Sequence, residues 1–179
     1  MILQIDDTLK LVLSNTAHAE QLFAVVAANR QHLSAFLPWV PFMNSVDDFI
    51  NYLQNCETLH AQGLEYSFNI FEGEHLAGRV GLSLINKANR LANIGYWLAS
   101  GAQGKGIMTK AVNRIIRFGF EDVQLNRLEI KAATGNTQSN AIAQRLQFKK
   151  EGVLRQAERV NDSYLDLVLY SMLKEEYEK

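Results

Sequence analysis

Thr8 to Leu13 alternates between apolar and polar side chains, the two-residue period of a half-buried strand. Ala19, Leu22, Phe23 and Val26 recur at three- and four-residue intervals instead. Asn15 or Thr16 precedes them, which predicts a capped helix running to about Arg30. Phe36 to Phe42, FLPWVPF, holds both prolines of the chain, and prolines that close predict a rigid, extended connection. Ser45 with Asp48 three residues on predicts a capping-box start to a second helix, through about Leu59.

A meander follows. Tyr66 to Phe71, Leu76 to Ile85 and Leu91 to Leu98 read as strands, joined by turns at Glu72–Glu74 and Asn86–Asn89. Met108 to about Phe120 carries Ala111, Val112, Ile115, Ile116 and Phe118 on one helical side. Arg127 to Ala133 reads as a strand and Gln138 to Leu146 as a short helix. Lys149 to about Ala157 and Tyr164 to Met172 complete the pattern as strands. The order is a strand, two helices, three antiparallel strands, a helix, a strand, a helix and two strands. It predicts an α+β, mixed sheet of about seven strands with helices on both faces, not a doubly wound fold.

Composition narrows the picture. The 179 residues, with no repeat or linker, are read as a single domain spanning 1–179. At 47% hydrophobic and 21% charged residues the chain has an ordinary globular composition. The formal net charge of −1 supplies no global field toward nucleic acid or an anionic membrane, so neither is expected as a partner. MILQIDDTLK carries acidic residues and no apolar h-region, and no window approaches the roughly 20 apolar residues of a membrane span. A cytoplasmic location is the expectation. Cys56 is the one cysteine, on the apolar face of Val46, Phe49, Ile50 and Leu53, and reads as a small buried residue. His18, His32, His60 and His75 have no metal-binding spacing, so no metal is expected.

The stretch that changes the picture is Ile94 to Met108, IGYWLASGAQGKGIM. A strand ends at Leu98, a loop with Gly101, Gly104 and Gly106 follows, and a helix begins at once. Glycines let successive amides turn toward one centre, and the helix N-terminus adds its positive dipole end, which together suit phosphate. Two better-known phosphate loops do not fit. The P-loop pattern G-x-x-x-x-G-K-S/T fails at Ala99 and Gly106, and the dinucleotide pattern G-x-G-x-x-G fails at Thr109. Alone, the stretch also reads as a simple glycine turn that starts a helix.

Gln103-Gly104-Lys105-Gly106 after YWL and before a helix resembles the acyl-CoA pyrophosphate loop of the GNAT superfamily of N-acetyltransferases. Laid on that superfamily's consensus, Q/R-x-x-G-x-G/A, the glycine positions fall on Gly104 and Gly106. Gly101 then stands where Gln or Arg is usual. GYW (Gly95 to Trp97), NxxS (Asn136 to Ser139), the Phe148 to Gly152 segment and LPW (Leu37 to Trp39) resemble the Rim branch of ribosomal-protein N-terminal acetyltransferases. The resemblance runs from about Leu9 to Met172.

It implies a GNAT-like sheet with a splay between the fourth and fifth strands, and acetyl-CoA as co-substrate. The amides of Gln103, Gly104, Lys105, Gly106, Ile107 and Met108 would hold its pyrophosphate, and Lys105, Lys110, Arg114 and Arg117 would help neutralise phosphate. A solvated helix face is the alternative for the last two. Main-chain groups of Trp97 and Leu98 would pair with the pantetheine amides, and the Leu98 amide would polarise the thioester carbonyl. Trp97 also reads as a core aromatic. Many members use a tyrosine on the last helix to protonate the thiolate; QSNAIAQRL has none, so Ser139 takes that role with Asn136 positioning the arm. Both also read as simple cap residues. Glu158 resembles an acidic position lining the acceptor channel and is the candidate base, ahead of Asp162 and Asp166. Phe36, Trp39, Val40 and Phe42 form either an acceptor lid or a local mini-core.

The resemblance implies an acetyl-CoA-dependent N-acetyltransferase moving an acetyl group directly to a primary amine, a protein N-terminal α-amine above all. A small-amine acetyltransferase and a non-catalytic acyl-CoA-binding module are the alternatives. A homodimer is expected from the branch.

Overall fold

The computed structural model describes residues 1–178. Eight strands form one sheet in the order β1-β2-β3-β4-β5-β6-β8-β7. They are β1 (Ile2–Gln4), β2 (Leu9–Leu13), β3 (Tyr66–Glu72), β4 (His75–Asn86), β5 (Leu91–Leu98), β6 (Arg127–Ala133), β7 (Lys149–Val160) and β8 (Ser163–Leu173). The strand beyond the expected set is β1, whose three residues are too few to show a period; it pairs antiparallel with β2.

Alternation along the strands sends side chains to two cores. On one face Phe68, Ile70, Val80, Leu82 and Ile94 pack against α4 (Ile107–Arg117), with α5 (Thr137–Arg145) beside it. On the other, Phe71, Leu76 and Trp97 pack against α1 (Ala19–Ala28), the short α2 (Arg30–Leu33) and α3 (Val46–Ala61). A final turn, α6 (Lys174–Tyr177), follows β8. Cys56 is buried on α3 and burial raises its thiol pKa, as a packing residue should.

The α3 start follows the expected capping box: the Asp48 amide donates to Ser45 Oγ at 3.2 Å, and the Ser45 amide donates to Asp48 Oδ2 at 2.9 Å. The expected extended connection at Phe36–Phe42 is corrected. Trp39 is α-helical in backbone and Val40–Phe42 makes a 3₁₀ turn, with Pro41 inside it where its fixed φ fits. The Arg30 guanidinium holds the turn, donating to Val40 O and Met43 O at 2.6 Å each.

The neighbours β5 and β6 run parallel and pair only over Leu91–Asn93 with Arg127–Glu129. Beyond Asn93 the two strands separate, which opens the expected gap in mid-sheet. β7 and β8 run longer than expected, with register shifts at Lys150/Gly152 and Leu154/Glu158.

Candidate active site

The gap opens beside the glycine loop. Gly104 (φ +77°) and Gly106 (φ +75°) adopt left-handed backbone, and Gly106 caps α4 with no side chain accepting from the helix amides. The first bond of α4 is Lys110 N–H to Gly106 O at 3.1 Å. The amides of Gly104 through Thr109 therefore have no acceptor among the described residues. Main-chain amides left without partners at a helix N-terminus are suited to an anion. The Gln103 amide, expected to join them, donates to Ser100 O at 3.2 Å instead. Its side chain meets His32 Nε2 at 2.7 Å and lines the cleft.

This geometry also corrects the consensus alignment. Gly101 belongs to a separate 3₁₀ turn, Ser100–Ala102. Started at Gln103, the pattern puts its glycine on Gly106, the helix cap, and Met108 on the final small position.

The cations divide differently from expectation. Lys105 pairs with Glu72 at 3.0 Å, Lys110 with Asp6 at 2.8 Å and Arg117 with Glu121 at 2.8 Å, all in exposed positions. Along with Arg114 these do not line the cleft. Arg145 does: from the last turn of α5 it donates to Thr109 Oγ1 at 3.1 Å, beside the free amides. Nothing in its spacing marks it in the sequence.

At β5 the Ala99 amide bonds Ala77 O at 2.8 Å. Two-residue alternation then turns the main chain of Trp97 toward β4, and that of Tyr96 and Leu98 toward the gap. Leu98 is thus on the gap side, as its expected role requires, whereas the Trp97 main chain is engaged with β4 and Tyr96 takes the second gap-facing position. The Trp97 ring is buried in the α1–α3 core, 6.2 Å from the Trp39 ring.

Ser139 lies across the gap. Asn136 caps α5, its Oδ1 accepting from the Ser139 amide at 3.0 Å, and both residues line the cleft, so capping and cleft roles coincide. Sequence reasoning missed the partner of Ser139: the Tyr96 phenol lies 2.9 Å from Ser139 Oγ. Burial pushes the Tyr96 pKa up to about 12, so the phenol stays protonated at neutral pH. A tyrosine hydroxyl therefore reaches α5 from β5, although α5 carries no tyrosine of its own.

Two cavities meet at this point. The first, about 390 Å³, runs from the glycine loop along α5. The second, about 350 Å³, opens on the α3 face of β4 and β5. Leu37, Tyr96 and Trp97 line both. Of the aromatic loop, Phe36 lines the first and Trp39 the second. Val40 is fully buried and Phe42 is 76% exposed, so these two belong to core and surface.

Glu158 is half-buried and burial alone raises its carboxyl pKa; it lines neither cavity. Its hairpin reaches toward the site, with Asn161 Nδ2 donating to Ser34 O at 3.3 Å. Asp162 is exposed, 3.4 Å from Arg159, and Asp166 accepts the Gln156 amide at the strand bulge, so both serve the hairpin.

A splayed mixed sheet with a helix N-terminal amide cluster at the mouth of the splay is the architecture of an acyl-CoA-dependent acyltransferase. Residues 9–149 match the acetyltransferase (GNAT) domain, and the chain belongs to that family. It is 33% identical over 171 residues to the ribosomal-protein-serine acetyltransferase of Escherichia coli, covering 96% of each chain. The RimL ribosomal-protein acetyltransferase in complex with coenzyme A superposes with a TM-score of 0.94 at 30% identity, over 97% of this chain and 98% of that one. The microcin C7 self-immunity acetyltransferase MccE, in complex with acetyl-CoA and AMP, gives 0.89 at 30% identity over 94% of each. The chain is thus an acetyl-CoA-dependent N-acetyltransferase of the GNAT family.

Proposed function

We propose that the acceptor is the N-terminal α-amine of a protein, of the kind carried by ribosomal proteins, and that 1–179 works as one acyltransferase unit in the cytoplasm. The meeting of two cavities at Leu37, Tyr96 and Trp97 carries this reading. Donor and acceptor occupy cavities that join at these residues, so the amine reaches the acetyl group directly with no covalent enzyme intermediate. The similarity to ribosomal-protein acetyltransferases over nearly the whole chain favours a protein acceptor over a small amine.

Bound acetyl-CoA supplies the thioester. The amides of Gly104 to Thr109, with Arg145, hold its phosphates. The main chain of Tyr96 and Leu98 aligns its arm, and the Leu98 amide faces the carbonyl. Ser139, hydrogen-bonded to the Tyr96 phenol, delivers a proton to the departing sulfur. Glu158, its carboxyl pKa raised by burial, accepts the amine proton. Trp39 walls the acceptor side. A homodimer belongs to this reading; β7 is a sheet edge and its hairpin exposes Val153, Leu154 and Tyr164.

The test is thiol release from acetyl-CoA with short Ser- and Ala-starting peptides set against polyamines, free amino acids and aminoglycosides. Peptide turnover at least about tenfold more efficient is expected. Turnover restricted to small amines overturns the acceptor assignment, and acetyl-CoA binding without turnover on any amine favours a binding module.

A further inference from the structure

Arg79 is a buried charge that acetyl transfer does not use. It lies on the α3-facing side of β4, in register opposite Trp97, and is 7% exposed. Nη2 lies 3.2 Å from Ser14 Oγ and 3.9 Å from Cys56 Sγ, and the guanidinium carbon lies 4.9 Å from the Tyr52 ring centroid. Nε is buried with no hydrogen-bond partner, and among the described residues no carboxylate lies within ion-pair distance. The groups around it stay neutral. Burial pushes Tyr52 up to about 12 and raises Cys56, while Ser14 and its partner Asn69 carry no charge. A guanidinium removed from water calls for an anion, and this one has none within the protein.

The same side chain lines the second cavity. There Gly81 and Gly95 face each other across β4 and β5, and a Cβ built on Gly95 meets nothing within 4 Å, so the space over the strands is open. The acid that lines this cavity, Glu65, accepts from Ser67 Oγ at 2.6 Å and makes no ion pair with Arg79.

We infer that Arg79 is the anion seat of the acceptor cavity and takes a carboxylate carried close to the reacting amine, such as an Asp or Glu just after the acceptor's first residue. The inference rests on the second cavity being the acceptor site. Trp97, the cross-strand neighbour of Arg79, walls both cavities, so a group held at Arg79 lies one strand away from the gap where the amine meets the acetyl group. Guanidinium and carboxylate form a charge-assisted pair whose strength grows out of water. An amide of the same shape leaves the cation unpaired, so the site discriminates by charge and not by size.

The test uses peptide twins that differ only in Asp against Asn, or Glu against Gln, after an N-terminal Ser. Each is titrated into the full chain with coenzyme A present, following fluorescence of Trp39 and Trp97 in the cavity wall. The acidic twin is expected to bind about tenfold tighter or better to the wild type. Arg79→Met should erase the difference and Arg79→Lys should keep part of it. Coincident curves for the twins in the wild type, or no response to either, overturn the inference; so does discrimination that survives Arg79→Met. The wild-type comparison needs no variant to fold. Thiol release is followed in parallel: if the acidic twin binds selectively yet neither is acetylated, the peptide-acceptor reading fails and the Arg79 assignment stands.

Discussion

The two cavities are built from different materials. The cavity proposed for the cofactor is largely main chain: free amides at the start of α4, and the gap-facing edge of β5. The cavity proposed for the acceptor is mostly side chains, drawn from α3, β3, β4, β5 and the turn before α3. A ligand common to a whole family can be held by backbone, which any sequence with glycines at the right dihedrals provides. Selection among acceptors needs side chains, and these can vary without disturbing the sheet. The comparison predicts that changes on the two sides separate kinetically, one moving the acetyl-CoA KM and the other the acceptor KM.

The largest effect is expected where the sides join. Ser139→Ala and Tyr96→Phe should each lower kcat about a hundredfold, the scale of a lost proton donor. Because the two hydroxyls lie 2.9 Å apart, the double variant should lose little more than either single one. Multiplicative losses would show that they act separately. With the Tyr96 pKa near 12, Tyr96→Phe should lower the rate without adding a pH limb between 6 and 9.

Next comes the loop. Gly104→Val puts a branched side chain at φ +77° and should raise the acetyl-CoA KM about tenfold or more, leaving the acceptor KM unchanged. An unchanged acetyl-CoA KM would remove the loop from the site. Gly95→Leu is the mirror test. Its side chain would enter open space in the second cavity and should raise the acceptor KM several-fold, with the acetyl-CoA KM steady. If both constants move together, the two cavities are one binding unit and the comparison breaks.

Legibility in the sequence follows the same division. The glycine loop, the α3 capping box and the strand ends around the gap were readable because each is encoded by neighbours in the chain. Ser139 was readable as a cap, yet its contact with Tyr96 spans 43 positions and no local pattern carries it. Arg145 and Arg79 were missed for a related reason. Arg145 sits among ordinary polar helix residues and matters because α5 packs beside α4. Arg79 lies inside an apolar strand run, and its lack of an acid is a fact about α3 and β2 as much as about β4. The Phe36–Phe42 turn was misread because prolines fix φ but leave ψ to tertiary contacts, here the Arg30 guanidinium.

The smallest effect at alkaline pH, and the one most dependent on conditions, concerns Glu158. A protein α-amine has a pKa near ~7.7–8.0, so above pH 8 much of it is already neutral and a base adds little. At pH 6 nearly all of it is ammonium, and its proton must go to an acceptor in the site. Burial raises the Glu158 carboxyl above its usual value, so its base form is lost as pH falls through that raised pKa. Wild-type kcat/KM should therefore decline on the acid side. Glu158→Gln should cost about twofold at pH 8.5 and about tenfold at pH 6, since only the variant depends wholly on amine that arrives neutral. The carboxylate lines neither cavity, so water relaying the proton along the hairpin is the competing route. Profiles that overlay across the whole range would assign the proton to that water and leave Glu158 a packing residue of β7.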